Sequence, residues 1–138
     1  MTTTVIAGVF SLLLAANAVA WNPASFADDG TVEFLTVASD EGEHWSTVWF
    51  VVIDDAVYFR LGPRAATRVD KHTGAPAMKL RDASGNIHEM RYEKAPDMFE
   101  KVAEAMSNKY WTDIFGEPFR KLGLTSPTMT LRLVPAAE

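Results

Sequence analysis

Arg60, Arg64 and Arg68 recur every four residues, and Thr67 and Lys71 stand among them. The stretch runs from a strand end through a Gly62-Pro63 break into the first turns of a short helix. Such a junction offers guanidinium forks, a hydroxyl and the open N–H groups of a helix N-terminus, which are the donors a phosphate group takes. The same spacing also suits a solvated helix face whose arginines pair with Asp54, Asp55 and Asp70. The sequence leaves both readings open.

Other chemistry finds less support. There is no glycine-rich phosphate loop of the G-x-x-x-x-G-K-[ST] type, no G-x-G-x-x-G and no G-x-S-x-G elbow. His44, His72 and His88 are far apart and form no H-x-x-x-H pair, so a hydrolase or metal enzyme would need them to converge on carboxylates through the fold. The chain has no cysteine, which excludes disulfides and thiolate metal sites. Trp45, Trp49, Tyr58 and Phe59 could stack on a planar ligand, but at strand positions such aromatics also serve as core or as a subunit interface.

The elements around these residues read mostly as strands. Val32–Ala38 is β-branched and aromatic, and the polar Ser39–His44 stretch follows as a loop. Ser46–Ile53 is a near-continuous apolar run and predicts one strand buried on both faces. Asp54-Asp55 is a compact turn leading to a return strand over Ala56–Leu61. After Gly62-Pro63, Arg64–His72 predicts a short helix with Gly74 as its stop. Ala77–Asp82 and Ile87–Glu93 alternate around Ala83–Asn86 as a second hairpin. Pro96-Asp97 opens a helix to Lys109 whose buried stripe is Phe99, Val102 and Met106. A shorter helix near Trp111–Leu122 and a last strand over Thr128–Val134 complete the chain. Six strands joined by hairpins favour an antiparallel barrel or sandwich.

The 138 residues suffice for one domain. Hydrophobic residues make up 48% and charged residues 22%, which predicts a packed core rather than disorder. The net charge of −5 and the lack of a basic stripe argue against a nucleic-acid partner. No charged side chain precedes Asp28, and residues 5–20 are nearly all apolar. As a helix this run rises only about 24 Å, short of the hydrocarbon core. It ends in Ala16-Asn17-Ala18 and Ala18-Val19-Ala20, the small-residue pattern at which a signal peptide is cut. Residues 1–20 are therefore expected as a signal peptide or membrane anchor, which makes the protein exported (periplasmic or extracellular) or membrane-anchored. A hydrophobic N-terminal helix packed on the domain is the alternative, and it suits a cytoplasmic protein. Residues 21–30 are expected as a linker and 31–138 as the domain.

Taken as a series, Ser46-Thr47-Val48-Trp49-Phe50, the acidic turn, Val57-Tyr58-Phe59-Arg60 and the Gly-Pro break before a basic helix resemble the pyridoxamine 5'-phosphate oxidase-like family of FMN-binding split barrels. Gly74–Leu80 is similar to the segment leading that family's next strand, and Leu131–Pro135 to its last strand. The resemblance spans residues 31–135. It implies a six-stranded antiparallel split barrel, mostly β with one or two peripheral helices, that forms a homodimer holding a flavin between subunits. It also implies a flavoprotein of oxidoreductase type whose substrate is unknown. Arg60, Arg64, Thr67 and Arg68 fall where the family binds the cofactor phosphate, and Ser46, Thr47 and Trp49 near the flavin ring. This chain departs from the family by carrying Ser46-Thr47 where a basic residue is usual, and by lacking the Ser-Arg-Lys type triplet near the phosphate. Members that bind a deazaflavin or a tetrapyrrole, or no cofactor, keep a second reading open. In that reading the chain is a non-catalytic exported or membrane-anchored protein using the barrel for another ligand or for dimerisation.

Overall fold

The computed structural model of the protein describes residues 21–110 and 129–136. The expected N-terminal hydrophobic helix, the shorter helix over residues 111–122 and Thr128 lie outside the described residues. Seven strands form one antiparallel sheet: β1 (Val32–Ala38), β2 (Gly42–Val48), β3 (Phe50–Ile53), β4 (Ala56–Leu61), β5 (Ala77–Arg81), β6 (Ile87–Lys94) and β7 (Met129–Pro135). Among the described residues two α-helices accompany it, α1 (Pro63–Lys71) and α2 (Phe99–Lys109), the latter entered through a 3₁₀ turn at Pro96–Met98.

The strand order is β2-β1-β5-β6-β7-β4-β3. Its two edges, β2 and β3, are consecutive in the chain and separated only by Trp49. The first half of this ribbon pairs with β1, Val48 opposite Val32, and the second half with β4, Phe50 opposite Phe59. The sheet therefore curls, and its two edge strands are the two halves of one bent ribbon. Six expected strands become seven because the apolar run over 46–53 serves two partners and breaks where it changes from one to the other. β2 also begins earlier than its hydrophobicity suggests. Glu43 and His44 are polar, yet backbone pairing with Thr36 and Val37 of β1 draws them into the sheet.

Alternation sorts the side chains into two cores. Phe34, Phe50, Val57, Phe59, Leu61, Met78, Leu80, Met90, Leu131 and Leu133 point inward and are buried. Ala66 and Val69 of α1 join that interior, so α1 packs on the barrel by one face only. On the outside, Val51, Ala56 and Tyr58 pack under Val102, Met106 and Tyr110. Phe99, expected in the buried stripe of α2, lies at the rim instead, 38% exposed beneath the Arg60 guanidinium. The stretch expected as a linker carries part of the core. Phe26 is buried against Phe50 and His88, and the Trp21 indole donates to the Asp55 carbonyl at 3.0 Å.

Two local features fix the entry to and exit from α1. Pro63 sits at the first helical position, where its preset φ suits the helix and its missing N–H costs nothing. The helix ends at Lys71, before the expected stop at Gly74, because His72 is pinned by both ring nitrogens. Its Nδ1 accepts from the Val37 N–H at 3.0 Å, which places the proton on Nε2, donated to the Ala77 carbonyl at 2.7 Å. Gly74 instead makes room for that imidazole, since a Cβ at this position would stand 3.0 Å from His72 Nε2.

Candidate functional site

With Ala66 and Val69 turned inward, the remaining face of α1 carries Arg64, Thr67, Arg68 and Lys71, one above another at helical spacing. This face forms one wall of an open cleft of about 580 Å³, and Asp40 and Glu41 of the β1–β2 turn stand across it. The Arg68 Nε–H lies 3.1 Å from both Glu41 carboxylate oxygens. Lys71 Nζ donates to Asp40 at 2.8 Å. That contact holds the Asp40 carboxyl below its ordinary range and raises the Lys71 ammonium above its own. Thr67 Oγ1 donates to the Pro63 carbonyl at 2.9 Å, so its proton is already used. The first intrahelical bond runs from the Ala66 N–H to the Gly62 carbonyl, and among the described residues no side chain caps the N–H groups of Arg64 and Ala65 ahead of it.

Arg60 does not join this group. It alternates with Val57, Phe59 and Leu61 of the interior, so it shares the outer face of β4 with Tyr58, with its guanidinium 5.1 Å from the centre of the Phe99 ring. Burial there pulls Arg60 below the usual guanidinium range. Ser46 and Thr47 diverge for the same reason. Ser46 is buried, opposite Phe34, and its Oγ meets no hydrogen-bond partner among the described residues; Thr47 is exposed. Trp49, at the bend of the ribbon, stacks on Tyr110 with ring centres 4.4 Å apart. The cations at 64, 68 and 71 are thus brought together, whereas Arg60, Ser46, Thr47 and Trp49 are spread over other faces. The acids expected to pair with the arginines are not their partners: Asp70 meets Lys94 at 3.0 Å, and Asp40 and Glu41 serve α1.

No protein-family model and no curated protein sequence matches the chain. Solved structures do. HutZ, the haem storage protein from Vibrio cholerae, matches with a TM-score of 0.59 at 16% identity, over 87% of this chain and 93% of that one. An FAD-binding protein from Mesorhizobium loti gives 0.55 at 15%, over 87% and 91%. A putative pyridoxamine 5'-phosphate oxidase from Listeria innocua gives 0.54 at 16%, over 83% and 90%. The fold is the pyridoxamine 5'-phosphate oxidase-like split barrel.

Two further polar groups in this split barrel carry no signal in the sequence. His88 Nε2 meets Asp82 at 3.0 Å, both side chains are almost fully buried, and Trp21 and Phe26 cover the imidazole. Burial opposes the charge on Asp82. Hydrogen bonds from His88 and the Asn86 N–H outweigh it, so the carboxyl stays below its ordinary value. At the end of α2, Lys109 Nζ donates to the Phe50 carbonyl at 2.9 Å and lies 3.4 Å from the centre of that ring. Burial pushes this ammonium down to about 8, against the pull of Asp28 and Asp29. Both groups depend on residues brought together from different strands, turns or helices. Among the described residues, no three His, Asp or Glu side chains gather where a metal ion could be held, and no helix is long and apolar enough to cross a membrane.

Proposed function

We propose that this chain is a flavin-binding, oxidoreductase-like protein whose barrel holds the phosphate of flavin mononucleotide in the α1 cleft. The observation that carries the reading is the convergence of Arg64, Arg68 and Lys71 on one wall of an open cleft beside an uncapped helix N-terminus. Three cations against two carboxylates leave the cleft net positive. The flavin-binding description of one structural relative agrees with this ligand class. A bound flavin would itself accept and donate hydride. The arginine forks would fix the phosphate, Lys71 would add a point charge, and the N–H groups of Arg64 and Ala65 would complete the cradle. Thr67 would accept a hydrogen bond rather than donate one. The expected ring contacts at Ser46, Thr47 and Trp49 lie on other faces of the same subunit, so a ring seated against them would need the cleft and the β2–β3 ribbon of two subunits to meet in a homodimer. Arg60 belongs to the α2 side and is left out of the phosphate set.

The test is a fluorescence titration of the purified protein with flavin mononucleotide, and with riboflavin, which lacks the phosphate. Replacing Arg64 and Arg68 together with Ala is expected to weaken mononucleotide binding by about 2 kcal/mol or more, since charge-assisted bonds contribute roughly 1.5–3 kcal/mol each. Riboflavin binding should hardly move. Equal mononucleotide affinity in the wild type and the double variant would reject the assignment. Deazaflavin and flavin adenine dinucleotide belong in the same series, because the cleft by itself does not set what lies beyond the phosphate.

One observation favours a second reading, a non-catalytic module for another anionic ligand. Glu41 and Asp40 already neutralise two of the three cations, leaving Arg64 with no ion-pair partner among the described residues. A flavoprotein should purify yellow, and a module of the second kind colourless. For location, the apolar run over residues 5–20 supports an exported or membrane-anchored protein. Mass spectrometry of the native N-terminus tests it: a mature start near Trp21 means export, whereas an intact run in protein recovered from the soluble cell fraction overturns both.

A further inference from the structure

Asp40 and Glu41 occupy the cleft in a particular way. Both lie on the exposed turn between β1 and β2, and both reach across to α1, Glu41 to Arg68 and Asp40 to Lys71. The base of the turn is fixed independently. The Val37 N–H bonds His72, and the Thr73 N–H bonds the Val37 carbonyl at 2.8 Å, so β1 and the end of α1 stay together whatever the tip does. At the tip the Glu41 N–H donates to the Ala38 carbonyl at 3.2 Å and Glu41 Oε2 lies 3.9 Å from His44 Nδ1, before Gly42 at φ +75 turns the chain into β2. Of the two ion pairs beyond that base, the one between Asp40 and Lys71 is solvent-exposed (58% and 54%) and contributes little to stability, whereas Arg68 of the Glu41 pair is half-buried. Both pairs fill the donors that an incoming anion needs. A carboxylate on an arginine presents the same pair of oxygens as a phosphate.

We propose that Asp40 and Glu41 form a built-in competitor for the anion site, a latch that a phosphate-bearing ligand must displace from Arg68 and Lys71 before it can seat. This rests on the phosphate-cleft reading above and adds its regulation. The latch makes the affinity of the cleft for phosphate lower than its cations alone would give, and it biases the site against small anions that cannot recover the lost contacts elsewhere.

The experiment compares the full chain with D40N/E41Q, using flavin mononucleotide, riboflavin and inorganic pyrophosphate as probes. E43Q serves as a control that removes a neighbouring exposed charge without touching α1. Thermal midpoints check that each variant is folded. Flavin mononucleotide and pyrophosphate are expected to bind D40N/E41Q about fivefold or more tightly than wild type, with riboflavin and the E43Q control unchanged, as two surface pairs of roughly 0.5 kcal/mol each would give. If wild type binds flavin mononucleotide and D40N/E41Q binds it no better, the latch is wrong while the flavin reading survives. If E43Q gains as much as D40N/E41Q, long-range charge explains the effect and the latch is again wrong. If no flavin binds but pyrophosphate binds the double variant more tightly than wild type, the latch stands and the flavin reading falls. Absence of binding to every probe overturns both.

Discussion

Individual side chains in this protein are governed by what they are packed against more than by what they are. Lys109 is the clearest case. Its ammonium lies against the Phe50 ring, donates to a backbone carbonyl and is pushed down to about 8 by burial. The unfolded chain keeps that proton up to the ordinary lysine value of 10.5, so between the two values the unfolded state binds more protons than the folded one. Stability contributed by this group must therefore rise as pH rises through that window. Urea unfolding of wild type and Lys109→Met at pH 7.5, 9 and 10.5 should show the difference in midpoint shifting in favour of the wild type. Parallel pH dependences would refute the burial of this charge. Lys71 shows the opposite environment, exposed and paired with Asp40, and Arg68 beside it is half-buried but paired with Glu41.

The elements follow their local sequences closely, apart from the ribbon over residues 42–53. The turn between β3 and β4 places both Asp54 and Asp55 at positive φ, 51° and 66°. Two-residue hairpins need that conformation because its twist matches the strands, and aspartate tolerates it less well than glycine. Asp55→Gly is expected to raise stability by about 0.5 kcal/mol, since it removes the strain and leaves the carbonyl that holds Trp21. A urea midpoint equal to or below that of the wild type would show that the strain is already compensated. The helices divide the labour. Small Ala66 and Val69 let α1 close one part of the interior while its outer face stays cationic, and α2 covers the outside of β3 and β4.

At the scale of the whole molecule, closure of the sheet depends on the bend at Trp49, and Tyr110 fastens it. The Tyr110 hydroxyl accepts from the Phe50 N–H at 3.0 Å and lies 2.8 Å from the Gly30 carbonyl, tying α2, the ribbon and the segment ahead of β1 together. Tyr110→Phe keeps the ring stacked on Trp49 but leaves a buried N–H without its acceptor. It should cost about 1–3 kcal/mol in urea unfolding. A loss below about 0.5 kcal/mol would mean that the ribbon is held elsewhere. The bend lets one continuous ribbon pair with β1 through β2 and with β4 through β3.

Most strands were legible because their apolar periodicity and turn residues are local. Val32–Ala38, Ala56–Leu61 and the hairpin of β5 and β6 need only their own alternation to be recognised, and Pro63 and the arginine spacing announce α1. The chain's own chemistry likewise determined that thiols take no part and that cations gather after Gly62-Pro63. The tertiary structure decided which partners those cations have. Glu41 lies 27 positions from Arg68 and Asp40 lies 31 from Lys71, separations over which no local pattern operates. It also decided that the run over 46–53 breaks at Trp49, that Arg60 faces α2 rather than the cleft, and that Phe99 stays at the rim. Each of these depends on which surface a strand or helix finally packs against. That choice belongs to the closed sheet, not to any stretch of sequence within it.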